Sequence, residues 1–318
     1  MVELNGKKIL VTFLMHLGDL TLTTPFIHAL RKAAPDAHIT MLVDEKLKDV
    51  VLFNPYLDEV VTIDKKGRDN SILSLWACSR HLSKLDFDVL INLHPNERCS
   101  FIDAMTSVKL RTGTTHKIFK WFWDVFTPLD RSMHAADMYL DVLQQLGVQD
   151  LSNNGLEIFP GEEHFLEAEL FWQEQNITDQ DKLIGFNIGS AVPTKRWPPE
   201  RFAEVADIFA AKGYKTVFFG GPMDEEMVAE ATGYMQTRPI IATGHFAIGG
   251  LAAAMRRCCL IITNDSGPMH VAISQKVPIV AMYGPSNPKL YGPYTKDAVI
   301  VTAQPPCQGC ADLSLIHI

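Results

Sequence analysis

The regular alternation of short apolar runs with amphipathic stretches is the feature that most constrains the fold of this chain. Strand-like runs rich in Val, Ile, Leu and Phe recur, and each is followed by a loop and then by residues with helical periodicity. The first example is an apolar run at residues 8–14 that precedes a helical pattern ending near residue 34. Repetition of this kind is typical of a parallel, doubly wound sheet. The sequence therefore predicts an α/β fold.

The predicted elements form two similar sets. In the first half, the predicted strands are 8–14, 38–43, 59–63, 87–93 and 108–111, and the predicted helices are 24–34, 45–53, 71–84, a helix from 96, and 133–146. In the second half, the predicted strands are 183–188, 216–219, 240–242, 260–263 and 279–283, and the predicted helices are 163–175, 199–211, 224–235, 246–256 and 269–275. An Asn-, Gly- and Pro-containing stretch at 149–161 separates them and is the expected linker. We predict one domain over residues 1–150 and a second over residues 151–312.

Composition and charge exclude several classes of function. The chain has 318 residues, of which 47% are hydrophobic and 21% charged, so it is long enough for two cores and is not disordered. Its formal charge of −8 disfavours a nucleic-acid partner. The N-terminal apolar run is too short to span a membrane and lacks a signal-cleavage site, which predicts a cytoplasmic protein. The six cysteines are scattered, and several lie in apolar segments, so no disulfide framework is expected.

Residues 263–270 (TNDSGPMH) are the strongest candidate for an anion-binding site. They stand between an apolar strand-like run and an apolar helix. Asp265 or Ser266 can cap the helix start, Gly267 allows the backbone to approach a ligand, and a proline fits the first helical turn. The free N–H groups of such a turn favour phosphate. An ordinary capped helix fits the same pattern, so the choice between the two interpretations depends on other segments of the chain.

Two further loops of the second half favour the same kind of ligand. Residues 187–198 (NIGSAVPTKRWP) follow a predicted strand and combine small and hydroxyl residues with two cations. In this interpretation, Lys195 would supply a positive charge to a diphosphate, and Ser190 or Thr194 would donate hydrogen bonds to it. The alternative is a surface loop whose cations are solvated. After the next strand, GGPMD ends in Asp224, which either binds a ribose hydroxyl or caps the following helix.

Asp19 is the candidate for acid–base chemistry in the first half. It follows the first predicted strand, at the sheet edge where open α/β folds bind ligands. Its carboxylate could act as a general base, and a helix cap or a solvated turn is the alternative. Neither a G-x-G-x-x-G nor a Walker sequence is present, which counts against a dehydrogenase or a kinase. The Asp-x-Asp patterns at 86–88 and 179–181 and the single Cys-x-x-Cys of Cys307 and Cys310 lack further ligands, so no metal is predicted.

Residues 116–126 (HKIFKWFWDVF) break the alternation. They hold five aromatic rings and two lysines without a clear period. Aromatic rings with flanking cations are typical of a membrane interface, and Lys117, Lys120 and Trp121 are the candidate contacts. The alternative is a loop whose aromatic side chains fill the edge of the core.

Together these motifs resemble glycosyltransferase family 9, the ADP-heptose:lipopolysaccharide heptosyltransferases. The resemblance is carried by the motifs Gly-Asp-Leu at 18–20 with Thr-Pro at 24–25, Lys-Arg-Trp-Pro at 195–198, Gly-Gly-Pro at 220–222, NDSGPMH at 264–270 and Tyr-Gly-Pro at 283–285. It extends from about residue 7 to residue 310. The order and spacing of the motifs are specific, although each motif alone is not.

The resemblance implies a GT-B fold, in which two Rossmann-like doubly wound domains face each other across a cleft. Residues 1–150 would bind the acceptor and residues 151–312 the nucleotide sugar. By resemblance, the site residues are Asp19 as catalytic base, Ser190, Thr194 and Lys195 at the donor diphosphate, Asp265, Ser266, Gly267 and His270 at the diphosphate and sugar, and Asp224 at the ribose. The best-known members carry Glu where this chain has Asp224.

The implied reaction is an inverting transfer of heptose from ADP-heptose to a hydroxyl of the lipopolysaccharide inner core, either Kdo or heptose. It would need no metal and no cofactor, and it would take place at the inner face of the cytoplasmic membrane. A GT-B transferase for another nucleotide sugar and a non-catalytic nucleotide-sugar-binding protein are the alternatives. The sequence leaves the acceptor hydroxyl and the oligomeric state open.

Residues 313–318 (LSLIHI) are expected to be a non-native tail. Family members usually continue past the Cys-x-x-Cys segment into a closing helix. This hexapeptide matches one reading frame of a transposon-end sequencing adapter, which predicts a truncated chain.

Overall fold

The computed structural model describes residues 2–302, which form two parallel six-stranded sheets flanked by helices. The chain divides into two compact units, of which the first ends at Gly155 and the second begins at Leu156. The break lies five residues beyond the predicted boundary at 150. Cys307, Cys310 and the predicted tail at 313–318 lie outside the described residues.

The first unit contains strands β1 to β6 in a single sheet. The strands are β1 (Lys8–Thr12), β2 (His38–Asp44), β3 (Glu59–Ile63), β4 (Phe87–Asn92), β5 (Val108–Gly113) and β6 (Val125–Phe126). The helices are α1 (Leu17–Thr21), α2 (Thr24–Ala33), α3 (Ile72–Ser83), α4 (Glu97–Met105) and α5 (Ala135–Gln145), with 3-10 helices at Glu45–Val50 and Lys117–Phe122. The sheet order is β3-β2-β1-β4-β5-β6.

The second unit repeats this plan. Its strands are β7 (Leu183–Asn187), β8 (Lys215–Phe219), β9 (Ile240–Ile241), β10 (Cys258–Asn264), β11 (Ile279–Tyr283) and β12 (Ala298–Thr302). Its helices are α6 (Glu162–Glu174), α7 (Pro199–Ala211), α8 (Glu225–Tyr234), α9 (Ile248–Met255), α10 (Gly267–Ser274) and α11 (Pro288–Tyr291), with 3-10 helices at Pro193–Lys195 and Pro222–Asp224. The order β12-β11-β10-β7-β8-β9 is the same topology.

The central strands explain why this fold forms. Ile9, Leu10 and Val11 of β1 are fully buried, as is Phe186 of β7, because helices cover both faces of each sheet. Strands buried on both faces require continuous apolar runs, and these are the runs visible in the sequence. The strand order reverses between β1 and β4 in one sheet and between β7 and β10 in the other. Ligands of doubly wound folds bind beyond the carboxyl ends of the strands at such switch points.

The predicted α/β architecture is confirmed, and three local predictions are wrong. Residues 15–20, predicted as a loop after the first strand, include most of α1. Thr24, expected from the Thr-Pro pair to cap the next helix, is instead the first residue of α2, and the helix predicted at 45–53 is a 3-10 helix over Glu45–Val50. The aromatic segment 116–126, for which no helix or strand was predicted, contains a 3-10 helix and β6. β12 and α11 were not predicted. These elements are short or lie at a sheet edge, where periodicity carries little information.

Candidate active site

The switch point of the second unit is held together by polar side chains at the strand ends. Asn187 ends β7, and its cross-strand partner on β10 is Thr263. The Asn187 side-chain amide donates to the Thr263 hydroxyl at 3.1 Å and to Ser266 Oγ at 2.9 Å. This fixes the loop after β10 relative to the end of β7.

Asn264 connects the same two loops from the other strand. Its side-chain amide donates to the Ile188 carbonyl at 2.7 Å, and its side-chain oxygen accepts from the Trp197 N–H at 2.9 Å. Both ends of the 188–197 loop are therefore bonded to the end of β10. Buried amide networks of this kind are rigid because each unmade bond would be costly.

An ion pair lies at this switch point. Lys195 Nζ is 2.8 Å from Asp265 Oδ2, and the two side chains are 19% and 6% exposed. Burial raises the pKa of Tyr283, and the neighbouring Asp265 carboxylate raises it further. The sequence segments that carry Lys195 and Asp265 are thus brought into contact, as their assignment to one anion site requires.

The start of α10 faces this region with its positive end. Ser266 occupies the N-cap position with extended backbone, but its side chain makes no capping bond, since its Oγ accepts from Asn187. Gly267 and Pro268 form the first turn. The N-terminal end of a helix attracts anions through its uncapped N–H groups and its dipole. His270 follows on the same helix and is buried.

The loop after β7 carries two hydroxyl residues in the segment that leads to Lys195. Ser190 is buried, and its carbonyl accepts from Arg196 Nε at 2.8 Å. Thr194 belongs to the 3-10 helix Pro193–Lys195. A Cβ built on Gly284 would stand 3.0 Å from the Thr194 carbonyl oxygen, so the absence of a side chain at Gly284 allows this close approach.

Space for a ligand adjoins Lys195. A pocket of about 560 Å³ is lined by Thr194, Lys195, Trp197, Tyr283 and Gly284, among others. This volume is within the range of small-molecule sites, roughly 300–1,000 Å³.

Asp224 lies against the loop after β7. Its carboxylate accepts from the Gly221 N–H at 2.9 Å, which caps the 3-10 helix Pro222–Asp224 rather than α8. A Cβ on Gly189 would lie only 2.1 Å from Asp224 Oδ1. Only glycine therefore fits at 189 while Asp224 keeps this position. The ribose contact of Asp224 stays a prediction.

In the first unit, Asp19 lies in the first turn of α1 and is half-buried. The loop that leads to it is bonded to a lysine: Lys65 Nζ donates to the carbonyls of Leu14 and Met15 at 3.1 and 2.8 Å. Lys65 also pairs with Asp44 at 3.1 Å. The segment between β1 and Asp19 is therefore held in one conformation.

A buried acid that sequence analysis missed lies under this switch point. Asp103 of α4 is 0% exposed, and its Oδ2 accepts from Thr12 Oγ1 at 2.9 Å and from Asn92 Nδ2 at 2.6 Å. Burial raises the pKa of Asp103 to about 7. His94 is also largely enclosed, and burial together with Arg131 lowers its pKa to about 4, so its imidazole is neutral at pH 7.

The aromatic segment contains both buried and exposed rings. Trp123 is buried, and its indole N–H donates to the Thr112 carbonyl at 3.0 Å, so one ring fills the core edge. Trp121, by contrast, is 94% exposed. Lys117 is exposed beside it, and Lys120 Nζ lies 4.3 Å from the centre of the Phe126 ring. Within residues 2–302 no helix is long and apolar enough to cross a membrane.

The carboxylates of the two Asp-x-Asp patterns make local contacts. In the part of the chain that the structure describes, no three His, Cys, Asp or Glu side chains come together as a metal site would require. Asp86 and Asp88 precede or begin β4, and the Asp88 carboxylate pairs with Lys109 at 2.7 Å. Asp181 accepts from the Thr178 N–H and hydroxyl in a turn. These patterns are therefore local structure.

Comparison with known proteins gives the same assignment as the motifs. The family model "Glycosyltransferase family 9 (heptosyltransferase)" matches residues 75–314. A crystal structure of the glycosyl transferase family 9 from Veillonella parvula DSM 2008 is 57% identical, covers 96% of this chain and 89% of that one, and superposes with a TM-score of 0.94. The Escherichia coli ADP-heptose lps heptosyltransferase II structure is 23% identical, with a TM-score of 0.80 and coverages of 92% and 90%. Lipopolysaccharide heptosyltransferase 3 of Escherichia coli K12 is 24% identical over 89% of this chain and 84% of its own length.

Two doubly wound six-stranded units of this topology match the GT-B fold of the Escherichia coli heptosyltransferase structure. The chain belongs to glycosyltransferase family 9, the heptosyltransferase family. The resemblance noted from the motifs is thereby confirmed.

Proposed function

We propose that this enzyme transfers a heptose from ADP-heptose to a hydroxyl of the lipopolysaccharide inner core, with Asp19 as the general base. The observation that carries the donor assignment is the contact of Lys195 with Asp265 at the start of α10. This anion site stands in a family named for heptosyl transfer. The names of the two Escherichia coli relatives supply the donor, ADP-heptose, and the acceptor class, lipopolysaccharide.

The second unit would stabilise the leaving group. When the bond between the anomeric carbon and the diphosphate oxygen breaks, its electron pair passes to ADP and the negative charge on the diphosphate grows. Lys195 and the N-terminus of α10 are positive and already held in place, so they can stabilise this charge without reorganisation. Ser190 and Thr194 would add hydrogen bonds from the neighbouring loop.

The first unit would activate the acceptor. The acceptor hydroxyl forms the new bond to the anomeric carbon and gives its proton to the Asp19 carboxylate. Attack from the side opposite the departing ADP inverts the anomeric configuration. A carboxylate suits this step because the hydroxyl becomes strongly acidic only as the new bond forms, and a positioned base contributes about 10²–10⁴-fold to such a rate.

Donor profiling tests the function. Purified enzyme, an inner-core acceptor and equal concentrations of ADP-heptose, UDP-sugars and GDP-sugars should give product with ADP-heptose at a kcat/KM at least about 100-fold above the others, a discrimination that requires about 3 kcal/mol. A better UDP- or GDP-sugar would identify a GT-B transferase of another specificity. Tight ADP binding without any transfer would identify a non-catalytic binding protein.

We also propose that the enzyme works at the inner face of the cytoplasmic membrane, with the 3-10 helix Lys117–Phe122 in contact with lipid. Ile118, Trp121 and Phe122 are exposed on it, next to Lys117 and Lys120. α4 packs against both this 3-10 helix and α3, whose first turns expose Ile72, Leu73 and Trp76. Amphipathic surfaces with Trp and Lys bind the interface of anionic bilayers.

Vesicle sedimentation tests the membrane contact. Trp121→Ser is expected to weaken partition onto anionic phospholipid vesicles by roughly tenfold, because removing a large aromatic ring forfeits about 1.5 kcal/mol or more of burial. The control is Leu166→Ser on α6 of the second unit, where a smaller exposed apolar side chain, 61% accessible against 94% for Trp121, is removed. Equal partition of Trp121→Ser and the wild type would exclude this surface.

A further inference from the structure

The buried acid Asp103 has no role in the chemistry described so far. It is fully buried on α4, next to the fully buried Cys99 and Ile102. Acidic side chains are rarely buried completely, since removing a carboxyl group from water is costly unless hydrogen bonds compensate. An acid retained in such a place calls for a physical reason.

The hydrogen bonds of Asp103 join two strand ends. Thr12 is the last residue of β1 and Asn92 the last of β4, and the two are directly opposite each other in the parallel register. Both donate to the same oxygen of Asp103, at 2.9 and 2.6 Å. One carboxyl group therefore ties together the strands between which the order of the sheet reverses.

Both loops of the switch point begin at this tie. The Asn92 side-chain oxygen accepts from the His94 N–H at 2.8 Å, which fixes the start of the loop after β4. On the other strand, Thr12 is followed by the loop whose carbonyls Lys65 binds, and then by α1 with Asp19. Few residues separate the fixed strand end from the carboxylate that would receive the proton.

We propose that Asp103 is a positioning residue for the transfer reaction: its carboxyl group holds the ends of β1 and β4 together and so fixes α1 and Asp19 in place for the acceptor hydroxyl. The inference rests on the proposed role of Asp19. Asp103 itself contacts no substrate.

The surroundings of Asp103 leave its carboxyl group able to exist in the neutral as well as the ionised form near pH 7. Cys99 donates from Sγ to the same oxygen at 3.7 Å, and the Arg111 guanidinium is directed to the main-chain carbonyl of Asp103 at 3.0 Å. Cys78 of α3 is the other titratable neighbour. Burial raises the pKa of Asp103 to about 7, because its effect exceeds the lowering by the hydrogen bonds that the carboxylate accepts and by the charge of Arg111. An asparagine amide is therefore a close mimic, because its oxygen can accept both hydrogen bonds.

The second unit offers a matched control. There, Asn187 of β7 and Thr263 of β10 form the corresponding cross-strand pair, with a hydrogen bond of 3.1 Å between their side chains. Thr263→Val breaks that pair with the same chemical change as Thr12→Val. Thr263→Val should affect donor binding, whereas Thr12→Val should affect the acceptor side of the reaction.

Steady-state kinetics on four variants tests the proposal. Thr12→Val and Asp103→Leu are expected to lower kcat by about 10–100-fold with the donor KM unchanged, since a misplacement of about 1 Å can cost about 100-fold. Asp103→Asn should keep kcat within about threefold of the wild type, because both hydrogen bonds persist. Thr263→Val should instead raise the donor KM.

Hydrogen exchange supplies a readout that needs no catalysis. The amides of residues 13–21 should exchange faster in Thr12→Val than in the wild type, and at the wild-type rate in Asp103→Asn. Unchanged kcat and exchange in Thr12→Val would overturn the proposal even if Asp103→Leu fails to fold. An equal loss of kcat in Asp103→Asn, with unchanged exchange, would also overturn it. If the wild type shows no transfer, the proposed function fails, while the exchange rates still decide whether Asp103 fixes this segment.

Discussion

Asp19→Asn is expected to lower the rate of heptosyl transfer by about 10²–10⁴-fold, the contribution of a positioned general base. The amide has the size of the carboxylate but cannot accept the proton of the acceptor hydroxyl. ADP binding should be unchanged, because the proposed anion site with Lys195 belongs to the other unit. Turnover is measured with saturating donor and acceptor, and ADP affinity by calorimetry.

A control variant distinguishes the loss of the general base from the loss of any one negative charge in the first unit. Glu97→Gln removes an exposed carboxylate from the first turn of another helix in the same unit, α4. It should transfer at close to the wild-type rate. Wild-type-like turnover in Asp19→Asn would refute the assignment of Asp19, and a loss of ADP affinity in that variant would point to a folding defect.

Lys195→Gln is expected to weaken ADP binding by about 10–100-fold and to lower kcat as well, because hydrogen bonds to charged groups contribute about 1.5–3 kcal/mol. Glutamine is chosen because its amide can still donate to Asp265, whose carboxylate is 6% exposed. Alanine would leave that buried charge without its cation, a change that destabilises proteins by about 3–5 kcal/mol.

Both donor affinity and melting temperature are measured for this variant. Lys182→Gln, at an exposed lysine of the same unit, is the control and should behave as the wild type. The effect on kcat is expected because charge on the diphosphate grows as ADP departs, so the cation stabilises the transition state more than the bound donor. An unchanged donor KM and kcat in Lys195→Gln would remove Lys195 from the site.

The central part of the fold was predictable because its physical cause is visible in the sequence. A strand covered on both faces must be apolar throughout, as β1, β7 and β10 largely are, and such runs stand out between loops. β6 consists of two residues inside an aromatic segment and leaves no such signal. α1 has only five residues, fewer than two turns, so no periodicity marks it.

The candidate site was predictable where several residue types with an uncommon combination of properties lie within one short segment of the sequence. Gly267 and Pro268 after two polar residues mark the start of α10, and Lys195 lies in a loop of small residues. Asn187 and Asn264 each end an apolar strand, a signal that could have singled them out. Asp103 could not be found in this way, since its partners lie 91 and 11 residues away and an acid within a helix ordinarily faces water.

The packing of Asp224 against Gly189 has a consequence for the evolution of the donor loop. The carboxylate already occupies the space that any side chain at 189 would need. A glutamate at 224, one methylene longer, would have to place its carboxylate elsewhere, because the space beside Gly189 is already filled. Positions 189 and 224 are therefore expected to covary, and transplanting a donor preference from a relative would require exchanging the two loops together.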